Sequence, residues 1–170
     1  HVQSARYSPY KAAAIPTGGS YGARDAGGMR RYLHVQSELS AGVAEVSEEL
    51  YRAISGGSHA QGCGSLCPAS GLSLFDAAEF ANSLSEEEGL EACYEIARGS
   101  IQWKRGCLGW RVPTDEEWEY LAVAGQDFPY AGSGNVDAAA WYSANSSGLL
   151  HPSGEKKPNA YGLQDMSGNL

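Results

Sequence analysis

After Gly125 the sequence loses all periodicity, and this long tail limits the kind of fold open to the chain. Residues 126–170 alternate turn formers with aromatics, in runs such as FPYAGSGN, AAAWYSANSSG and HPSGEKKPNAYG. Loops without structure of their own rarely exceed ~12–15 residues in a compact domain, so this stretch is too long to be a featureless connector. A coil that carries tryptophan and tyrosine needs something to hold it, and a bound ion is one candidate. The expected fold is therefore loop-rich.

The rest of the composition fits such a fold. A chain of 170 residues suits one domain, and at that size roughly 70% of the unfolded surface can be buried. With 42% hydrophobic residues, 19% charged residues and 22 glycines, the chain reads as globular and rich in turns. Its net charge of −8 argues against nucleic acid or an anionic membrane as partner, since both are polyanions. The same charge is compatible with Ca²⁺. No apolar run approaches the ~20 residues of a membrane-spanning segment. The first residue is His1, which suggests a removed leader or a start within a longer polypeptide.

Four cysteines are present: Cys63, Cys67, Cys93 and Cys107. Two disulfides would use them all, with three connectivities open. Four-thiolate zinc sites bring their ligands in two close knuckles. Here the first pair is C-x3-C but the second is C-x13-C, which favours disulfides over zinc. Cys63–Cys67 would close a small loop. Cys93–Cys107 would staple a hairpin-sized segment and contribute ~3 kcal/mol. Disulfides imply an oxidising, extracytoplasmic compartment.

Local signals place the regular elements. Ala12–Ile15, PTGGSYG and RYLHVQSELSAGVAEV read as short strands joined by glycine-rich turns. GGSYGARDAGG lacks the spacing of a phosphate-binding loop and reads as a turn. A first helix is expected over Ser47–Ile54, with Glu48 and Glu49 in its first turn and Gly56 after its end. A second starts at Ser73, capped with Asp76, and buries Ala77, Phe80, Ala81 and Leu84. Residues 93–96 and 101–103 read as a hairpin across Arg98-Gly99-Ser100. A third helix follows Pro113, with Thr114 and Glu117 as capping box and Trp118, Leu121 and Ala122 as apolar face. Asp115, Glu116, Glu117 and Glu119 invite an acid–base reading, but acidic residues are simply favourable in a first helical turn.

The motifs fall in the order of a known family. Residues 111–120, RVPTDEEWEY, resemble the RLPTEAEWEY block of the formylglycine-generating-enzyme, or sulfatase-modifying-factor, domain family. Phe128-Pro129-Tyr130-Ala131-Gly132 resembles its F-P-W-G turn. Ala140-Trp141-Tyr142 with Asn145 resembles W-Y…N, and residues 158–169, PNAYGLQDMSGN, resemble P-N-x-x-G-L-x-D-M-x-G-N. Upstream, Ile15 to Tyr21 and the Glu45-Val46-Ser47 segment match weaker blocks in the same order, as do Cys67-Pro68 and Phe75-Asp76-Ala77. The resemblance covers residues 12–170 and leaves 1–11 as a polar N-terminal arm. It implies an α+β, C-type-lectin-like fold with few short strands, about three helices and long loops, often stabilised by Ca²⁺.

The resemblance also implies site residues. Asp165 matches a family Ca²⁺ ligand, joined by the backbone carbonyls of Gly168 and Leu170. Ca²⁺ takes six to eight oxygens, and a tight turn of carbonyls supplies several. Asp165 equally suits a residue that locks a turn through backbone N–H groups. Asn145 matches a second Ca²⁺ site, but Asp137 and Glu155 are poor matches for its acidic partner, so Asn145 reads better as a loop lock. Trp118, Trp141, Tyr142 and Tyr161 read as core aromatics of an irregular fold rather than as a ligand surface. His34, His59 and His151 are scattered, with no metal or nucleophile spacing.

In the family the G-N pair is followed by W-E-W, further strands and the paired cysteines that oxidise a sulfatase cysteine, with copper. Cys107 is the last cysteine here and precedes the RVPT block. No residue of this sequence is expected to inherit the catalytic role, and the remaining part would belong to a longer polypeptide or to another chain. The leading expectation is a non-catalytic binding or structural module that meets a protein partner or its own subunits. The alternative is a fragment of a formylglycine-generating enzyme whose catalytic cysteines lie elsewhere.

Overall fold

The computed structural model describes residues 10–24, 27–35, 37–58 and 63–170. Residues 1–9 of the expected arm, and His59, lie outside the described residues. Four strands come first: β1 (Ala12–Ile15), β2 (Gly18–Arg24), β3 (Arg30–Val35) and β4 (Leu39–Gly42). β1 pairs antiparallel with β4, from Ala12 opposite Gly42 to Ile15 opposite Leu39. β2 pairs antiparallel with β3. Helices α1 (Glu48–Ser55) and α2 (Leu74–Glu87) follow, then the hairpin β5 (Tyr94–Ala97) and β6 (Ser100–Trp103). Last come α3 (Asp115–Val123) and a short α4 (Val136–Ala139).

The helices start where their caps stand. Ser47 Oγ accepts from the Leu50 N–H at 3.2 Å, satisfying one of the orphan donors of α1. Ser73 and Asp76 form a reciprocal capping box on α2, and Thr114 and Glu117 form another on α3. The hairpin turn is tighter than the three residues expected. Ala97 pairs with Ser100, which leaves Arg98-Gly99 as a two-residue loop, with Gly99 at φ 81° where a side chain would be strained. The sequence suggested three helices. α4 is the addition, a single turn opened by Asn135, whose Oδ1 accepts from the Asp137 N–H at 3.0 Å.

The face that α3 buries differs from the expected one. Tyr120 and Leu121 are buried, whereas Trp118 is 48% exposed. The reason is the sheet it meets. α3 packs on β2 and β3, and Tyr120 reaches over to donate its hydroxyl to the Pro16 carbonyl at 2.9 Å. That contact turns Trp118 outward. On α2 the expected stripe holds: Phe80, Ala81 and Leu84 are buried, joined by Ala78.

The cysteines pair as Cys63–Cys67 and Cys93–Cys107, with Cα–Cα distances of 5.7 and 5.5 Å. Zinc is thereby excluded as their partner. The loop closed by the first pair meets the start of α1: Cys67 accepts from the Glu48 N–H at 2.7 Å and Ser65 from the Glu49 N–H at 2.9 Å. The second disulfide joins the foot of the hairpin to the next segment inside a core of Ala78, Ala81 and Tyr94.

Apart from the single turn of α4 the tail is irregular, as expected, and its polar side chains hold it. Asn159 is 6% exposed. Its Nδ2 donates to the Leu121 and Ala122 carbonyls at 2.7 and 3.2 Å, near the end of α3. Its Oδ1 accepts from the Tyr161 and Leu163 N–H groups at 3.0 and 3.1 Å. This seats Leu163, 1% exposed, in the core with Ile15, Leu33, Val35 and Leu121. Gly132 passes so close that a Cβ there would lie 2.7 Å from Asn159 Cα.

Replacing Asn159 by Ala strands buried backbone groups on both sides. We expect a loss of ~3 kcal/mol in chemical denaturation. Asn159→Asp keeps the acceptor but loses the donors and sets a charge against the helix-end carbonyls. It should be at least as destabilising as Asn159→Ala, and equal stability to the native chain would contradict the assignment.

Candidate binding cleft and its polar corner

A cleft of about 1550 Å³ opens on the side of Trp118. It is lined by β4, the inner face of α2, residues 106–113, α3 and the turn 163–170. Its apolar lining includes Trp110, Leu121 and Leu163 together with the exposed Leu108, Val112 and Trp118. Trp118, displaced from the core, thus becomes part of the cleft lining.

The charged lining is one-sided. Glu38, Glu45, Glu88, Glu117 and Asp165 contribute carboxylates, and Arg111 the one guanidinium among these residues. Arg111 is committed to Glu117 through two parallel hydrogen bonds of 2.7 and 2.5 Å. That guanidinium, with the Thr114 N–H, pulls the Glu117 carboxyl down to about 2. The pair belongs to the frame of α3, so Arg111 does not neutralise Glu38, Glu45 or Asp165.

Glu45 and Asp165 form the polar corner. Glu45 Oε2 accepts from Asn169 Nδ2 at 2.7 Å and from Ser153 Oγ at 3.3 Å. Burial pushes its carboxyl from 4.5 up to about 7, and the Asp165 charge adds to the rise. Tyr10 lies by the same corner. Its hydroxyl donates to the Ala44 carbonyl at 2.6 Å, and burial with the Glu45 charge lifts it to about 12. Asp165 sits at φ 58° and accepts from the Gly154 N–H at 2.5 Å through Oδ2. Burial raises its pKa as well. Its Oδ1 is buried and has no hydrogen-bond partner among the described residues.

That orphan oxygen fits a cation. Among the described residues no group of three or more His, Cys, Asp or Glu side chains is arranged around a metal. A Ca²⁺ at Asp165 would therefore draw most of its oxygens from backbone carbonyls, and those of Gly168 and Leu170 are in the same turn. The turn-locking reading of Asp165 is realised at the same time, through Oδ2 and Gly154.

Asn145 stands in a different arrangement. Its Oδ1 accepts from the Tyr142 N–H at 2.8 Å. Its Nδ2 donates to the Ala140 carbonyl at 3.1 Å and to Asp137 Oδ1 at 3.3 Å. Asp137, set aside on sequence spacing, is thus beside Asn145, but it meets the amide nitrogen rather than a shared cation. Trp141 is stacked on His151 at 3.6 Å, with Lys156 Nζ 3.6 Å from its ring centroid. His151 also exchanges backbone hydrogen bonds of 3.0 Å with the Asn169 side chain. The histidine and the aromatic are engaged in holding the tail. Sequence reasoning passed over Glu45, Ser153 and Asn169 as a set. The one signal available was that Glu45 and Asn169 both fall in family blocks.

With this geometry in view, the relatives are informative. The family model described as sulfatase-modifying factor enzyme 1-like domain matches residues 12–170. The chain belongs to this family. Treponema denticola variable protein 1 is 26% identical with a TM-score of 0.82, over 95% of this chain and 70% of that one. CarF is 24% identical with a TM-score of 0.70, over 95% and 78%. PvdO from Pseudomonas aeruginosa is 18% identical with a TM-score of 0.67, over 91% and 66%. The sulfatase-modifying-factor fold, α+β and C-type-lectin-like, is thus shared with proteins of low sequence identity. A curated relative, Chaperone protein LppX of Paenibacillus barcinonensis, is 30% identical over 169 residues. The match spans 79% of this chain and 60% of that relative's length. Among the described residues no helix is long and apolar enough to cross a membrane.

The raised Glu45 carboxyl has a pH consequence. A group whose folded pKa lies above its unfolded value stabilises the fold fully below the unfolded value, here 4.5, and that contribution is lost as pH rises through about 7. Thermal melts from pH 4.5 to 7 should show the native chain losing stability relative to Glu45→Gln, which cannot ionise. Parallel profiles for the two proteins would refute the assignment.

Proposed function

We propose that this chain is a non-catalytic, extracytoplasmic binding or structural module, with the cleft beside Trp118 and Glu45 as its recognition surface. The observation that carries the reading is the cleft itself, which is large and partly apolar. The two disulfides support an oxidising compartment. They also support the non-catalytic reading. All four cysteines are consumed in them, so thiol chemistry by this chain would have to begin by opening one. The word chaperone in the name of the Paenibacillus relative agrees with a binding role.

The family match supports a second reading, in which the chain is part of a formylglycine-generating enzyme whose reactive cysteines lie outside it. The two are separated by incubating the whole native polypeptide that contains this chain aerobically with copper and a peptide carrying a sulfatase-type cysteine. We expect mass spectrometry to find no formylglycine product. Product formation by that polypeptide would establish the enzymatic reading.

Calcium enters the proposal as a structural ion. Asp165 Oδ1 and the carbonyls of Gly168 and Leu170 would hold it, and the ion would neutralise Asp165. A ligand at a hundredfold excess over its Kd stabilises by ~2.7 kcal/mol, which at this chain length is a Tm rise of ~5–10 °C. Calcium should raise the Tm of the native chain by that amount and leave Asp165→Ala unmoved. An equal rise in both proteins would remove Asp165 from the site.

A further inference from the structure

We propose that the cleft takes a cationic, apolar stretch of polypeptide, in which Lys or Arg side chains meet the carboxylates and apolar side chains lie against the exposed Leu108, Val112 and Trp118. The inference rests on the binding reading above and names its partner class. Charge complementarity carries it. Glu38, Glu45 and Asp165 line the cleft, and its one guanidinium is locked to Glu117. Glu38, on the exposed rim, and Glu45 with Asp165, in the deeper corner, are set along a lining that is otherwise apolar. An acidic occupant would be repelled by Glu38 and Glu45, and a neutral one would leave both without a cationic partner.

Size and shape argue for a polypeptide. Small-molecule sites measure ~300–1000 Å³, and this cleft is larger, about 1550 Å³. The exposed apolar groups Leu108, Val112 and Trp118 are spread along it at 82%, 37% and 48% exposure, as befits a ligand with several separated apolar groups. Ser37 to Ser40 and Gly42 also line the cleft. They belong to or adjoin β4, a strand of a ladder that has two strands among the described residues, and such an edge can hydrogen-bond an extended backbone.

The test uses the chain itself and short fluorescent peptides that share one set of leucines and valines and carry Lys, Gln or Glu at the intervening positions. Anisotropy titrations should show the Lys peptide binding at least tenfold tighter than the Glu peptide. Its affinity should fall several-fold in high salt, as expected for a partly exposed charge contact. Spermidine, a cation without apolar groups, should not compete. Glu38→Lys sits on an exposed rim, and Glu45→Gln keeps the shape of the corner. Each should weaken the Lys peptide at least fivefold while circular dichroism shows the native spectrum. Trp118→Ala should weaken all three peptides alike.

Equal binding of Lys and Glu peptides would overturn the proposal, as would full competition by spermidine, or unchanged affinity in both folded carboxylate variants. Preference for the Gln or Glu peptide, lost in Trp118→Ala, would also overturn it while leaving the cleft as a recognition surface. Formation of formylglycine in the assay above would instead remove the reading on which the proposal rests.

Discussion

The last carbonyls of a helix have no partners within it, and at the end of α3 the Asn159 amide supplies them. The other end of the same amide accepts two N–H groups from the turn that follows. One short side chain therefore fastens a helix to a coil 38 residues further along the chain. Without it Leu163 has no fixed place among Ile15, Leu33, Val35 and Leu121, and the core under the β strands lacks its tail-side member. The close passage of Gly132 past Asn159 belongs to the same constraint, because any Cβ there would collide with the backbone it crosses.

The rest of the tail repeats this device. Asn145 locks the turn after α4, Gln164 Nε2 donates to the Gly154 and Lys156 carbonyls, and Asn169 binds both backbone groups of His151. Each amide satisfies backbone groups that a regular helix or ladder would otherwise pair. That is how a long irregular segment keeps its polar backbone satisfied near a core, where an unpaired group costs ~1–3 kcal/mol. A bound ion was one candidate support for this coil. Side-chain amides provide much of that support.

The cleft follows from the same arrangement. Because the tail turns back through residues 163–170 to reach Glu45, it brings Asp165 and Asn169 against the segment that precedes α1. Because Tyr120 rather than Trp118 faces β2 and β3, an indole is left on the open side. Acidic and apolar character meet there for two separate packing reasons.

By itself the sequence determined what depends on neighbours three or four positions away. Ser47, Ser73 with Asp76, and Thr114 with Glu117 cap their helices because donor and acceptor lie within one turn of chain. The hairpin forms at Arg98-Gly99 because glycine accepts the required φ. The irregularity of the tail was legible in its missing periodicity, and the family in the order of its motifs. Only the tertiary structure decided which face α3 buries, since that depends on a carbonyl at Pro16. Only it joined Glu45 to Asn169 across 124 positions. No local propensity encodes such a meeting, because it is set by how the whole chain packs, and there the charge of the cleft is decided.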